Sequence, residues 1–322
     1  MARTVMLDRE TLDLGDLDLD NLSRVAGEFD SYDRTRPEAV VERIGDAEII
    51  IVNKVVIDAD VIAACPNLAL ICVIATGVNN IDTAAARARG ISVVNCRAYG
   101  TDSVAQHAIT LMLALATGLV SYVNAVRAGR WEQSANFCFL DYPIVELAGR
   151  RLLVVGHGEL GGAVARLAEC HGMEVVIAER PGAGTPRPGR VDFHEAVAGA
   201  DIVTVHCPLT PATQNLIDAD VLRRMKPTAF VINTARGGIV DEAALADALR
   251  AGEIAGAGMD VLSKEPPREG NPLLAADIPN LLVTPHSAWG SQRARQRIVD
   301  QTVENIEAWQ RGEPLRVVEE GA

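Results

Sequence analysis

The 322-residue chain lacks an uninterrupted apolar run long enough to cross a bilayer. Its most Ala- and Leu-rich stretch, Val104 to Val120, is short and carries Gln106 and His107. The opening segment, Met1 to Asp20, soon becomes acidic and has no apolar centre of the kind a secretory leader needs, so no export signal is expected. Basic charge is also in deficit: 30 Lys and Arg face 43 Asp and Glu, for a net charge of -13. Binders of nucleic acid or anionic membrane neutralise phosphates with clustered Lys and Arg, so neither partner is expected. The six cysteines, Cys65, Cys72, Cys96, Cys138, Cys170 and Cys207, show no metal-like or disulfide-like spacing and mostly sit in apolar runs. They read as reduced, buried thiols of a cytoplasmic protein. Also missing are a metal-spaced histidine cluster, a nucleophile elbow, a phosphate loop with its lysine, an internal repeat and a long low-complexity linker.

The strongest positive signal is Leu152 to Glu179. An apolar β-branched run, Leu152 to Val155, enters the turn Gly156-His157-Gly158-Glu159-Leu160-Gly161; an Ala-rich helical pattern follows to Cys170, and a second apolar run, Met173 to Ala178, ends at Glu179. Strand, glycine turn, helix, strand and acid make a dinucleotide-binding unit. Gly156 allows the tight turn, Gly158 lets a pyrophosphate approach the backbone, and Gly161 lets helix and strand pack closely. Glu179 then accepts the adenosine ribose hydroxyls, which predicts NAD over NADP, and Arg180 beside it partly offsets that discrimination. The alternative is a glycine turn of purely architectural purpose.

A chain of this length is expected to divide into two domains. In its first part, short apolar strands at Thr4 to Leu7, Ile49 to Asn53, Leu68 to Ala75 and Ile91 to Asn95 alternate with helices such as Asp58 to Ala64 and Thr83 to Arg89, as in a parallel sheet covered on both faces. The third of these strands stops at Ala75-Thr76-Gly77-Val78-Asn79-Asn80, where backbone N–H groups are placed to hold a carboxylate or simply to turn the chain. Thr101 or Asp102 caps a long helix to about Leu119, and a helical pattern continues over Val126 to Arg130. Trp131, Phe137, Phe139 and Tyr142 then gather aromatics in a chain that is only 4% aromatic, which suggests an arm packed on a second subunit or within one chain. Further strands are expected at Asp201 to His206, Phe230 to Asn233, Ile254 to Asp260 and Leu281 to Val283, and helices at Glu195 to Ala200, Asp218 to Met225, Asp241 to Arg250 and Gln292 to Arg311. Arg180 to Arg190 reads as a surface loop, and Leu315 to Val318 as a return to the first domain.

Polar residues follow three of these strands. Arg236 offers a guanidinium fork for a carboxylate and its neighbouring carbonyl oxygen. His286 can exchange the proton that accompanies hydride transfer, and Glu265 can orient the imidazole. An ion pair for Arg236 and a capping or core role for His286 are the plain alternatives, but they leave unexplained why clamp, acid and base all follow strands in a chain with a dinucleotide turn. Of the other histidines, His107 is expected to satisfy a buried helix contact and His157 to point away from the phosphate turn, while His171, His194 and His206 show no partner in the sequence.

On Ala75 to Asp82, Gly156 to Gly161, His206-Cys207-Pro208-Leu209-Thr210, Asn233 to Glu242 and Thr284 to Trp289, the chain resembles the D-isomer-specific 2-hydroxyacid dehydrogenase family over nearly its whole length. Arg97 to Gly100, Gln133-Ser134 and Phe137 to Pro143 are similar to its glycerate dehydrogenase (hydroxypyruvate reductase) branch. The resemblance implies an α/β protein of two Rossmann-like domains: a discontinuous flavodoxin-like substrate domain, residues 1–98 and 288–322, and an inserted NAD-binding Rossmann domain, residues 99–287, with a dimerisation arm and catalysis in the cleft between them. It implies a homodimer that reduces a small 2-oxo acid with NADH, reversibly, most simply hydroxypyruvate to D-glycerate. Glyoxylate, a D-lactate-type acid, or a non-enzymatic NAD-sensing role like that of the family's corepressor relatives are the alternatives. By matching positions Arg236 is the substrate clamp, His286 the acid/base and Glu265 its partner, with Thr76, Gly77 and Val78 at the substrate carboxylate and no metal. The cofactor would be held by Gly156, His157, Gly158, Glu159, Leu160, Gly161, Glu179, Arg180, His206, Cys207, Pro208, Thr213, Thr234, Ala235, Arg236, Asp260 and His286. Two residues depart from the family pattern: His157 in the turn, and Glu179 in place of the commoner Asp.

Overall fold

A computed structural model describes residues 2–180 and 183–319; Pro181 and Gly182 of the expected Arg180 to Arg190 loop lie outside the described residues, as do Met1 and Glu320 to Ala322 of the expected C-terminal part. In chain order the elements are β1 (Arg3–Met6), α1 (Asp20–Ala26), β2 (Glu28–Ser31), α2 (Val40–Ile44), β3 (Ile49–Val52), α3 (Ala59–Ala64), β4 (Leu70–Val73), α4 (Thr83–Ala88) and β5 (Ser92–Asn95). Two helices follow, α5 (Thr101–Ala116) and α6 (Leu119–Arg127), and then β6 (Arg151–Val155), α7 (Glu159–Cys170), β7 (Glu174–Ile177), α8 (Phe193–Ala196), β8 (Ile202–Val205), α9 (Ala219–Arg224), β9 (Phe230–Asn233), α10 (Glu242–Ala251), β10 (Gly256–Met259), β11 (Leu281–Val283) and α11 (Gln292–Gln310). The chain forms two compact units, Met1–Gly100 with Gly290–Ala322, and Thr101–Trp289.

The first unit holds a five-stranded parallel sheet in the order β2-β1-β3-β4-β5, the flavodoxin-like order. All residues of β3 and β4 are buried, as strands covered on both faces must be. Asp58 and Asp82 accept N–H bonds from Val61 and Ala85, which ends the strand-to-helix turns where the sequence places them. The chain returns to this sheet at its end: Val318 N donates to Val93 O, and Val317 bridges Val94. Helix α11 lies against α1, and its buried Arg295 is paired with Asp16. The strand β2 and helices α1 and α2 had no clear sequence signature. Glu28–Ser31 contains one apolar residue and stays largely accessible at the sheet edge, so no apolar run marks it.

The second unit has a six-stranded parallel sheet ordered β11-β10-β9-β8-β6-β7. Beyond β7, Ala178 and Val191 form one isolated parallel bridge. The usual third strand of a dinucleotide-binding half is reduced here to that bridge. Because β7 lies on one side of β6 and β8 on the other, the order reverses between β6 and β8, where such sheets bind their ligands. Leu152, Val154, Val164, Ala168 and Ile232 pack with Ala108 and Met112 of α5 on one face. On the other, Leu153, Val203, Val231 and Ala257 pack with Leu222, Leu245 and Leu249. The single helix expected from Thr101 to about Leu119 stops at Ala116. Gly118 takes a left-handed φ of +60°, and α6 sets off at 61° to α5. Among the described residues no single helix is long and apolar enough to cross a membrane.

Candidate active site

The loops at the carboxyl ends of β6 to β11 bring the second unit's expected residues to one edge of its sheet. The three turn glycines are needed for different reasons. A Cβ on Gly156, whose φ is +93°, would lie 2.6 Å from Cys207 N, and one on Gly161 would lie 2.0 Å from Gly156 O, so both positions are closed by the protein's own backbone. Gly158 is different: a Cβ there would meet nothing within 4 Å. Its backbone is extended and Gly158 caps α7 without a side-chain bond, which leaves the first N–H groups of a 12-residue helix without a side-chain cap. Open space above exposed helix N–H groups is what a pyrophosphate requires. The His157 ring lies over Gly162 in the first turn of α7, and Glu159 accepts a bond of 2.6 Å from Thr101 Oγ1. Leu160 is half-buried beneath the turn.

Two buried polar atoms lack partners among the described residues, His206 Nδ1 and Thr234 Oγ1, and they follow the adjacent strands β8 and β9. His206 Nε2 lies 2.8 Å from Thr204 Oγ1, and burial pushes the imidazole pKa down to about 4, so the ring is neutral and retains one unsatisfied nitrogen. Orphaned groups of this kind at the switch point fit a nucleotide whose polar atoms complete them. Cys207 is half-buried and its thiol is pushed up to about 11 by burial, so it is no thiolate nucleophile. Thr213 spends its hydroxyl inside the loop, donating to Pro208 O and accepting from Thr210 N, each at 2.7 Å, and so shapes the wall that Pro208 and Leu209 form.

Arg236 follows β9 in a turn set by buried Asn233, whose side chain accepts from Ala235 N and donates to Arg236 O. The exposed guanidinium bonds only Ala235 O, at 2.7 Å, and makes no ion pair among the described residues, contrary to the plain alternative for an arginine here. Gly237 cannot carry a side chain, since its Cβ would stand 2.0 Å from Leu262 C; the Arg236 turn and the loop after β10 are therefore in backbone contact. Glu242 braces that loop. Buried at the first turn of α10, it accepts from Ser263 N, from Ser263 Oγ at 2.7 Å and from Asn271 Nδ2 at 2.6 Å.

Glu265 stands on the braced loop. Its Oε1 accepts from Leu262 N at 2.8 Å and its Oε2 lies 2.6 Å from His286 Nδ1. His286 Nε2 makes no bond among the described residues, and the His286 side chain is about one-third exposed (31%). The backbone of His286 has φ +52°, an uncommon conformation for a residue with a side chain, and Asp260 holds it there. Asp260 O accepts from His286 N, while its carboxylate accepts from Thr284 Oγ1, Ser287 N and Ala288 N at 2.6 to 2.9 Å. The resemblance placed Asp260 among the residues that would hold the cofactor; in the structure three donors within the protein bond its carboxylate. His107, expected to satisfy a buried helix contact, has its Nε2 2.9 Å from Thr284 Oγ1, after β11.

Glu179 follows β7 as expected and is almost fully buried, but its carboxylate is already engaged. Arg187 donates through Nε at 2.7 Å, through Nη2 and through its backbone N, and Arg180 N adds a bond of 2.7 Å. Sequence proximity had assigned the offsetting charge to Arg180; the structure gives it to Arg187, seven residues further on. Arg187 went unmarked in the sequence, and Asn233 and Glu242 stood there only within the Asn233 to Glu242 motif without a role of their own, because local spacing does not announce which loop a side chain will hold. In the first unit, Thr76, Gly77 and Val78 follow β4, and their N–H groups have no acceptor among the described residues. Thr76 Oγ1 donates to Cys96 O, which fixes the turn.

Comparison with known proteins agrees with this geometry. The family model for the NAD-binding domain of D-isomer specific 2-hydroxyacid dehydrogenases matches residues 109–288. A glycerate dehydrogenase of Methylorubrum extorquens is 46% identical over 98% of this chain and 99% of its own length. A hydroxypyruvate reductase of Blautia hydrogenotrophica is 37% identical over 98% and 99%. Among solved structures, an NADPH-dependent glyoxylate/hydroxypyruvate reductase from Sinorhizobium meliloti superposes with a TM-score of 0.82 at 31% identity, covering 99% of this chain and 98% of that one. A dinucleotide turn with open space over Gly158, a carboxylate-held histidine and a matching family model over more than half of the sequence establish that this chain belongs to the D-isomer-specific 2-hydroxyacid dehydrogenases.

Proposed function

We propose that the protein reduces hydroxypyruvate to D-glycerate, reversibly, with a nicotinamide dinucleotide. The observation that carries this reading is the His286–Glu265 pair at 2.6 Å, which leaves His286 Nε2 without a bond among the described residues, at the same sheet edge as the dinucleotide turn and as an Arg236 guanidinium that bonds a backbone carbonyl and no acid there. Bound NADH or NADPH supplies a hydride to carbon 2 of the 2-oxo acid. His286 Nε2 gives a proton to the carbonyl oxygen as the double bond becomes single, and the neutral imidazole that remains keeps its Nδ1–H on Glu265. In the oxidative direction the same nitrogen takes the proton back. Arg236 pairs with the substrate carboxylate and steadies the negative charge that grows on the oxygen. Thr76, Gly77 and Val78 supply N–H groups to that carboxylate.

Hydroxypyruvate is favoured by the similarity of Arg97 to Gly100, Gln133-Ser134 and Phe137 to Pro143 to the glycerate branch. Hydroxypyruvate, glyoxylate and pyruvate assayed separately with NADH and with NADPH decide the substrate. The highest kcat/KM is expected with hydroxypyruvate; a preference for glyoxylate or pyruvate reassigns the substrate, and binding of dinucleotide without turnover of any 2-oxo acid supports a sensing role instead. We further infer a homodimer, because the arm after α6 exposes Trp131 (53%), Phe137 (90%) and Leu140 (76%), apolar surface that a second copy would cover. Light scattering at micromolar concentration should give twice the chain mass. Free thiols support a cytoplasmic location, although only Cys65, Cys72 and Cys96 are buried as expected, Cys138 and Cys207 being half-buried and Cys170 exposed.

A further inference from the structure

The dehydrogenase reading needs a group that recognises the adenosine ribose, and at this end of the site the chain departs from the simple expectation. A carboxylate has about four lone-pair positions. On Glu179 four donors fill them: Arg180 N and Arg187 Nη2 on Oε1, Arg187 N and Nε on Oε2. No acceptor capacity is left for a ribose hydroxyl unless the Arg187 side chain withdraws. That exchange replaces a cation on a buried carboxylate with a neutral donor, which is unfavourable. The pairing holds the Glu179 carboxyl well below the usual carboxylate range, chiefly through the Arg187 guanidinium, so Glu179 stays charged and keeps its partner.

A 2′-phosphate meets the opposite situation. Arg187 cancels the like charge of Glu179, and its side chain is half exposed (51%), with its Nη1 group making no bond among the described residues. The segment from Arg180 to Arg190 holds three arginines and no acid in a chain whose net charge is -13. Arg190 is tethered beside them through Nη1 to Ala178 O. A local cationic cluster around one neutralised acid suits an anion, while a lone acid suits hydroxyls.

We propose that Arg187 is the residue that sets coenzyme choice: by occupying Glu179 it removes the reader of the 2′-hydroxyl and supplies a partner for a 2′-phosphate, so that the protein takes NADPH at least as well as NADH. The inference rests on the dehydrogenase reading and reverses the preference that Glu179 alone implies.

The test measures binding to the full chain of two adenosine ligands that differ by the 2′-phosphate, 2′,5′-ADP and 5′-AMP, by calorimetry, alongside kcat/KM for NADPH and NADH with hydroxypyruvate. Wild type should bind 2′,5′-ADP about tenfold more tightly or better, as one good charge-assisted pair allows. Arg187→Ala should weaken 2′,5′-ADP by about tenfold or more while 5′-AMP holds or tightens, and the NADPH/NADH ratio should fall in parallel. Glu179→Gln, which keeps Arg187 and removes the repelling charge, should tighten 2′,5′-ADP. A wild-type preference for NADH and 5′-AMP, or an Arg187→Ala variant that weakens both ligands equally, would overturn the assignment while leaving NADH-dependent turnover, and so the dehydrogenase reading, intact. Absence of binding by either ligand together with absence of turnover would overturn both.

Discussion

Two glutamates stand at opposite ends of the same six-stranded sheet, and their hydrogen bonds separate their uses. Glu265, after β10, accepts a backbone N–H on one oxygen and holds His286 with the other, and His286 Nε2 makes no bond among the described residues. Glu179, after β7, is buried and filled by donors from Arg187 and Arg180. The first carboxylate orients a group that still has something to give; the second has no unfilled acceptor position. An acid at a strand end is therefore only a candidate for a role, and the occupancy of its lone pairs decides whether it acts on a ligand or on its own protein.

The sharpest way to break this comparison is at the reactive end. His286→Asn removes the proposed proton donor, and kcat/KM should fall by about three orders of magnitude, within the range that a positioned acid/base contributes. Stopped-flow or steady-state NADH oxidation measures it, and a variant within tenfold of wild type shows that another group carries the proton. Arg236→Ala should cost about two orders of magnitude in kcat/KM while dinucleotide affinity, read by fluorescence, hardly moves. Near-normal turnover in that variant would make Arg236 structural, although it makes no ion pair among the described residues.

Smaller effects sharpen the same contrast along the edge between the two acids. Gly158→Ala places a Cβ in open space on an extended backbone, so folding should be unaffected and the melting temperature should stay within a few degrees. Dinucleotide affinity should nevertheless weaken by about tenfold or more, because the methyl occupies the approach to the helix N-terminus. Unaltered affinity would mean that phosphates do not pass over Gly158. A last effect, on stability and not on the reaction, concerns His206. Burial depresses its pKa from 6.5 to about 4, so between those values the unfolded chain binds a proton that the folded chain refuses. Stability should fall as pH drops through that window, by at most about 3 kcal/mol, and level off below it. His206→Gln should flatten this limb in denaturant melts at fixed pH steps; an unchanged slope would assign the loss to other groups.

The sequence by itself determined the alternation of strands and helices, since fully buried parallel strands such as Ile49–Val52 and Leu70–Val73 must be continuous apolar runs and Asp at 58, 82, 218 and 241 must end the turns before helices. Elements without that local chemistry were not legible: Glu28–Ser31 pairs at a sheet edge with one apolar residue, and the α5 break depends on a single left-handed glycine. The candidate site divides the same way. The turn glycines, Arg236, Glu265 and His286 stand out as residue types following strands. That Gly237 must be bare because Leu262 lies against it, that Glu242 ties down the loop bearing Glu265, that Asp260 faces inward to hold His286 at a positive φ, and that Arg187 fills Glu179 all depend on contacts between residues 8 to 28 positions apart. A one-dimensional pattern records which side chains are present at a strand end; only the packed loops decide which donors reach which acceptors, because saturation of a buried carboxylate is a property of its neighbours in space.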